Sequence, residues 1–334
     1  MGMAVGDALG TTYEFQELAQ PAYPVLATGP ATDVVGRGPF ALAPGAITDD
    51  TQLAVCLARS LADRGEVDAG DVAQRYLAWS AEAFDIGTQT SAALGAFRRT
   101  GDAVRAGLIA WRSGGRRAAG NGSLMRTAPI GVALRMEFPV AVIEAAITDS
   151  LITHADPRCV LACGVFDAVI ARLASDASFG ASAMVAYAQE MLPLAAARLR
   201  ERWHGHDPES AADLATIEPA RAELARDLDA ALADDPQVYG PELHVDRTSG
   251  YVRLAFRLAF WHAMHTPRWT DALVDTASRG GDADTNAAIV GALLGARDGI
   301  GAIPAAWVER VLGATQKGRA AWGEAHHPRH LLAL

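Results

Sequence analysis

Two short stretches place acids and a hydroxyl at the head of an apolar helix: "TDDTQLAVCLARSL" from Thr48 and "GDADTNAAIVGALLGA" from Gly281. A single aspartate there is ordinary, because an Asp at a helix start accepts from free backbone N–H groups and suits the positive end of the helix dipole. Here Asp49, Asp50, Asp282 and Asp284 sit with Thr48, Thr51 and Thr285 beside elements that must be buried. An isolated charge in that setting is costly unless it is neutralised. Divalent Mg²⁺ or Mn²⁺ would neutralise it, since both take carboxylate, hydroxyl, carbonyl and water oxygens. Two independent helix caps with spare acids facing water are the alternative, and the matching order of the two stretches favours the metal. Neither stretch has the ligand spacing of a calcium loop. The Glu-x-x-His pairs of a di-iron bundle are absent as well.

Other residues could complete a site. Glu14, in "GDALGTTYEF", is flanked by Tyr13 and Phe15, an apolar setting that would raise its pKa; a surface glutamate is the plain alternative. "AAGNGSLMRTAPIG" turns at Asn121-Gly122, and the free N–H groups around Gly122 and Ser123 could cradle a phosphate or ribose. A simple turn explains that stretch equally well. Leu124 and Met125 pack inward in either case, and Met125 is counted with the substrate-binding residues. In "SLITHADPRC", His154 lies on a tight connection before a helix opened by Asp156 and Pro157, where it could point into a cleft or bond to backbone. "FDIGTQTS" is a glycine-bearing break at Gly87 that leaves Phe84 free to stack on a flat ring.

The elements that must position these residues read as helices. The periodicity predicts them over 1–20, after "TDDTQ" to about Ala62, and over 68–84, 88–99, 102–111, 139–153, 157–174, 180–202, 207–232, 248–265, 269–278, 285–297 and 304–314. Gly2, Gly6 and Gly10 share one face of the first, which invites a close helix neighbour. The Gly- and Pro-rich run 21–47 predicts a long ordered loop. The polar run 200–241 lies within a stretch, 174–250, that reads as peripheral and lid-like. No fixed-period repeat is found, and one all-α domain over 1–334 is expected.

The chain has 334 residues, half of them hydrophobic, and 29 basic against 39 acidic residues give a net charge of −10. No block of Lys and Arg provides an electrostatic grip on nucleic acid. No run approaches the ~20 apolar residues that span a bilayer, and the start lacks the charged segment of a signal peptide, so a cytoplasmic protein is expected. Cys56, Cys159 and Cys163 lack zinc-site spacing and read as reduced core residues.

In order, "GDALGTTYEF", "TDDTQ", "GNGSLMR", "THADPRC" and "GGDADTNAAIVGALLGA" resemble the ADP-ribosylglycohydrolase family, from residue 2 to about residue 315. The resemblance implies an all-α orthogonal bundle with a binuclear Mg²⁺ or Mn²⁺ cleft that hydrolyses the bond between ADP-ribose and an acceptor. It implies Thr48, Asp49, Asp50, Asp282, Asp284 and Thr285 as metal ligands, and Glu14, with Asp284, as catalytic acids. Asn121, Gly122 and Ser123 match the loop along the diphosphate and ribose, and His154 a substrate-contacting position. Gly87, Gly281 and Tyr251 match the cleft lining more loosely. The expected substrate is an ADP-ribosylated protein, most simply at arginine, or a small ADP-ribosyl compound, and the expected state a monomer. A non-catalytic ADP-ribose sensor is the alternative. The family has several more helical residues ahead of "GDALG", which predicts a shortened start and an unprotected first helix here.

Overall fold

A computed structural model describes residues 1–204, 209–234 and 249–334. Its helices are α1 (Gly2–Gly10), α2 (Asp49–Arg64), α3 (Ala69–Trp79), α4 (Thr88–Thr100), α5 (Ala103–Ser113), α6 (Ala128–Ala133), α7 (Pro139–Thr153) and α8 (Pro157–Ser175). They continue with α9 (Ala181–Trp203), α10 (Ser210–Leu214), α11 (Ile217–Leu232), α12 (Val252–His265), α13 (Trp269–Ser278), α14 (Ala283–Asp298), α15 (Ala305–Gly313) and α16 (Ala320–Ala325). Extended pairing among the described residues is limited to isolated bridges, so the fold is all-α. No described helix is long and apolar enough to cross a membrane.

The local signals explain most boundaries. α2 ends at Arg64 with Gly65 in the left-handed conformation, and α3 opens on Asp68, which accepts from Gly70 N and Asp71 N. Asp156 caps α8 the same way, with Pro157 at its first position. Two short helices, α6 and α16, were too brief to show a period. The run expected as one helix over 207–232 contains two, broken at Ala215–Thr216, and its first residues lie outside the described ones.

The helix expected over 1–20 stops at Gly10, and tertiary contact is the reason. A side chain at Gly2, Gly6 or Gly10 would collide with backbone of α14 at Gly291, Ala287 or Ala283–Asp284. The two helices therefore touch backbone to backbone along their length. Beyond Gly10 the chain turns away and pairs with the residues before α14: Phe15 N donates to Gly281 O at 2.7 Å and Gly281 N to Gln16 O at 2.9 Å. Gly280 and Gly281 have φ of 71° and 65°, values that favour glycine, and a side chain on Gly280 would strike Gln16.

The long loop ahead of α2 is ordered by one buried acid on α13. Asp275 accepts from Tyr23 Oη at 2.8 Å, Ala27 N at 2.6 Å and Arg279 Nη2 at 2.7 Å. Burial would raise its carboxyl, but His262 and Arg279 outweigh that and hold it down at about 2. The described part of the segment expected to be lid-like is packed: α11 buries Ile217, Leu224 and Leu228, and its Asp227 accepts from Arg253 Nε at 2.6 Å and Arg257 Nε at 2.9 Å. Residues 235–248 of that segment lie outside the described ones. The three cysteines are free and buried.

The glycine contact gives a paired prediction. Gly6→Ala is expected to cost about 1–3 kcal/mol, because overpacking forces backbones apart. Gly313→Ala, at a helical glycine with nothing within 4 Å of an added Cβ, is expected to stay within about 0.5 kcal/mol. Urea unfolding of both variants checks the contrast, and equal losses would show that the α1–α14 approach is not the constraint.

Candidate metal centre

The two acid-bearing helix starts, 235 residues apart in sequence, meet in the fold. Thr285 Oγ1 donates to Asp50 Oδ2 at 3.3 Å, and Thr48 Oγ1 lies 3.2 Å from the same oxygen. Neither helix uses its acids as simple caps. The side chains at the cap positions, Thr48 of α2 and Asp282 of α14, make no capping hydrogen bond.

α2 is capped from another helix instead. The Asp7 carboxylate of α1 accepts from Thr48 N at 3.1 Å, Thr51 N at 3.2 Å and Thr51 Oγ1 at 2.6 Å. Burial raises the Asp7 carboxyl to about 6 against those hydrogen bonds. With Asp7 taking Thr48 N and Thr51 N, Asp49 and Asp50 are left for the cluster. Thr51 is held by Asp7, whereas Thr48 is shared between Asp7, at 3.0 Å, and Asp50.

Glu14, Asp85 and Asp284 each bring an oxygen within 4.8 Å of the other two. Asp49 contacts Asp85, and Asp282 accepts from Asn121 Nδ2 at 2.6 Å. Six carboxylates are thus gathered, and all but Asp85 are at least nine-tenths buried. Burial first, and then the neighbouring carboxylates, push Asp49, Asp50 and Asp284 well above the usual carboxylate range. The same causes, led by burial and then Asp284 and Asp85, raise Glu14 to about 11. Burial raises Asp282 and Asp85 as well. Glu14 Oε2 and Asp50 Oδ1 are buried without a hydrogen-bond partner among the described residues. An anionic, oxygen-only donor set with two unpartnered buried oxygens is what a hard divalent cation requires.

The loop through Asn121 closes one flank. Asn121 N donates to Gly250 O at 2.9 Å and Val252 N to Ala119 O at 3.0 Å, which joins the loop to the start of α12. Tyr251 stands at that junction, half-buried, with its hydroxyl accepting from Arg158 Nη1 at 3.1 Å. Below the loop the fully buried Arg126 donates to Gly122 O at 2.9 Å and Asp149 O at 3.1 Å, and lies 4.6 Å from the Tyr76 ring centroid. The Ser123 hydroxyl accepts from Ser150 at 3.0 Å and Met125 is 4% exposed, so both side chains face the core. His154 is 3% exposed beneath Gly122, with Nδ1 2.8 Å from Thr153 Oγ1. Burial, helped by Arg126, lowers it to about 3, and the ring is neutral. Gly281 is the backbone partner of Phe15, Gly87 is the exposed first residue ahead of α4, and Phe84 is half-buried against Phe40.

A family model for ADP-ribosylglycohydrolases matches residues 1–327. The chain belongs to the ADP-ribosylglycohydrolase family. Among curated relatives, the ADP-ribosylarginine hydrolase of Pseudomonas putida (strain GB-1) is 30% identical over 321 residues, covering 93% of this chain and 72% of that one. The ADP-ribosyl-(dinitrogen reductase) glycohydrolase of Rhodospirillum rubrum is 27% identical over 312 residues, covering 93% and 88%. A solved structure described as an ADP-ribosylglycohydrolase-related protein complex superposes with a TM-score of 0.65 at 28% identity, covering 100% of this chain and 95% of that one. This ADP-ribosylglycohydrolase is accordingly a hydrolase of the linkage between ADP-ribose and an acceptor.

Two acids escaped the sequence reading of this glycohydrolase. Asp7 is the one charge in "GMAVGDALG", a stretch apolar enough that the acid had to be buried. Asp85 follows Phe84 in an inter-helix break, the same pairing of acid and phenylalanine that singled out Glu14. Each was visible as a charge in an apolar setting.

Carboxylates raised by burial bind more protons folded than unfolded, so the cation-free protein is expected to lose stability as pH rises. The loss begins at the unfolded carboxylate value of about 4 and continues through about 6 for Asp7 and upward to about 11 for Glu14. Adding Mn²⁺ at pH 7 should raise the unfolding temperature and release protons into a weakly buffered solution. Cation binding without proton release would show that the cluster is already ionised.

Proposed function

We propose that this enzyme releases ADP-ribose from arginine side chains of a modified protein, with two Mg²⁺ or Mn²⁺ ions held by Thr48, Asp49, Asp50, Asp282, Asp284 and Thr285. One observation carries the reading: the two helix starts converge on Asp50 Oδ2, with Asp50 Oδ1 and Glu14 Oε2 buried and unpartnered among the described residues. The name of the Pseudomonas putida relative, an ADP-ribosylarginine hydrolase, supports arginine as the acceptor.

When bound, the cations supply a grip on the 2″- and 3″-hydroxyls of the distal ribose and a water of lowered pKa. The loop at Asn121, Gly122 and Ser123, anchored by Asn121 N on Gly250 O, offers the backbone N–H groups of Gly122 and Ser123 to the diphosphate, a neutral counterpart to the acidic floor. His154, Met125 and Arg126 hold that loop from below, Tyr251, Gly281 and Gly87 complete the cleft wall along the ADP-ribose, and Phe84 stands at the acceptor end. As the bond from the anomeric carbon to the guanidine nitrogen breaks, its electron pair goes to nitrogen, and water adds its hydroxyl to the sugar while its other proton passes to Glu14 and replaces the one given to nitrogen. Positive charge developing on the sugar ring is stabilised by the surrounding carboxylates. Glu14, buried and with Oε2 unpartnered among the described residues, gives a proton to the departing nitrogen; Asp284, beside it, is the second acid of the pair.

Asp284→Ala is expected to lower the release of free ADP-ribose from an ADP-ribosyl-arginine peptide by at least ~10²-fold while leaving the circular dichroism spectrum unchanged. A chelator should abolish wild-type release, and Mn²⁺ or Mg²⁺ should restore it. Full activity of the Asp284 variant, or of the chelated enzyme, would refute the assignment.

A further inference from the structure

Three phenylalanines gather where the chain brings in two acids of the cluster. Phe15 follows Glu14 and Phe84 precedes Asp85, two acids whose oxygens lie within 4.8 Å of each other. Phe40, from the loop anchored by Asp275, joins them. Its ring centroid is 6.3 Å from that of Phe15, edge-on at 74°, and 5.4 Å from that of Phe84. The three rings form one continuous wall. Phe15 is 65% exposed and sits at φ 61°. An exposed phenylalanine in the left-handed region is unfavourable on both counts, and residues held that way concentrate at ligand clamps and functional sites. The wall already receives a cation from the chain itself: Lys317 Nζ lies 4.8 Å from the Phe84 centroid and donates to Phe40 O at 2.7 Å.

We propose that Phe15, Phe40 and Phe84 form the acceptor subsite and select a flat guanidinium as the group from which ADP-ribose is released. The proposal rests on the arginine reading above. The Asn121 loop reaches the cluster through Asp282, so the diphosphate enters on that flank. The bond that breaks lies at the far end of the ribose, where the cluster continues to Glu14 and Asp85. A guanidinium leaving there meets ring faces that attract cations and carboxylates that accept its N–H groups. It is more weakly hydrated than an ammonium and stacks on aromatic faces, whereas a serine hydroxyl offers neither charge nor a flat surface.

The test uses the Mn²⁺-loaded full chain with Phe15→Leu and Phe84→Leu, which keep apolar bulk, and Phe84→Tyr, which keeps a ring face. Three quantities are measured: the KM for an ADP-ribosyl-arginine peptide, the inhibition constant of agmatine as a guanidinium probe, and the dissociation constant of free ADP-ribose by calorimetry. The first two are expected to rise about five- to thirty-fold in both Leu variants and to recover in Phe84→Tyr, while ADP-ribose binding stays within about two-fold. Equal inhibition of wild type and Leu variants by agmatine would overturn the subsite, as would a parallel loss of ADP-ribose affinity, which would make the wall merely structural. A wild-type enzyme that binds ADP-ribose but leaves the arginine-linked peptide intact would remove the arginine reading itself, an outcome distinct from unaltered KM in the variants.

Discussion

Carboxylates buried against one another are the constraint on which the rest of this molecule depends. Glu14, Asp49, Asp50, Asp85, Asp282 and Asp284 form one cluster, and the charges that act on them most strongly are each other. Mutual repulsion and desolvation both oppose the ionised state, so the cluster is stable only when protonated or when cations enter. Function and instability arise from the same geometry. The surrounding helices must hold the acids together against that repulsion.

They do so by backbone contact, which does not relax. α1 lies on α14 through Gly2, Gly6 and Gly10, so the start of α14 is fixed relative to Asp7. Asp7 in turn receives the backbone donors at the start of α2. One chain of contacts, from α14 through α1 to α2, therefore sets the distance between the two acid-bearing helix starts. Placing the capping acid on a different helix frees Asp49 and Asp50 from the role that their position would otherwise give them.

The flanks are built with different chemistry. On the Asn121 side, buried polar groups position the backbone: Arg126 fixes Gly122 O, and the neutral His154 fills the space under the loop. On the Glu14 side, three rings from two inter-helix connections stand against each other, and the connection that carries Phe40 is tied down by Asp275, Tyr23 and Arg279. A rigid polar flank beside an aromatic one suits a substrate with an anionic end and a flat cationic end.

The sequence alone determined the helical class, most helix boundaries, the buried cysteines and the two motifs that converge, because these depend on local propensity, capping and the need to bury an apolar face. It also exposed the glycine face of α1, since three glycines at fourfold spacing leave little other purpose. Tertiary structure decided the rest. The first helix stops at Gly10 because Phe15 pairs with Gly281, a residue 266 positions away that no local pattern in the first segment specifies. Asp7 became a cap for α2, and Asp85 entered the cluster, through long-range placement that residue type could suggest but not assign. Ser123 and Met125 share a motif with Asn121 yet face the core, because side-chain direction within a tight loop is set by what packs beneath it, here Arg126, Ser150 and His154.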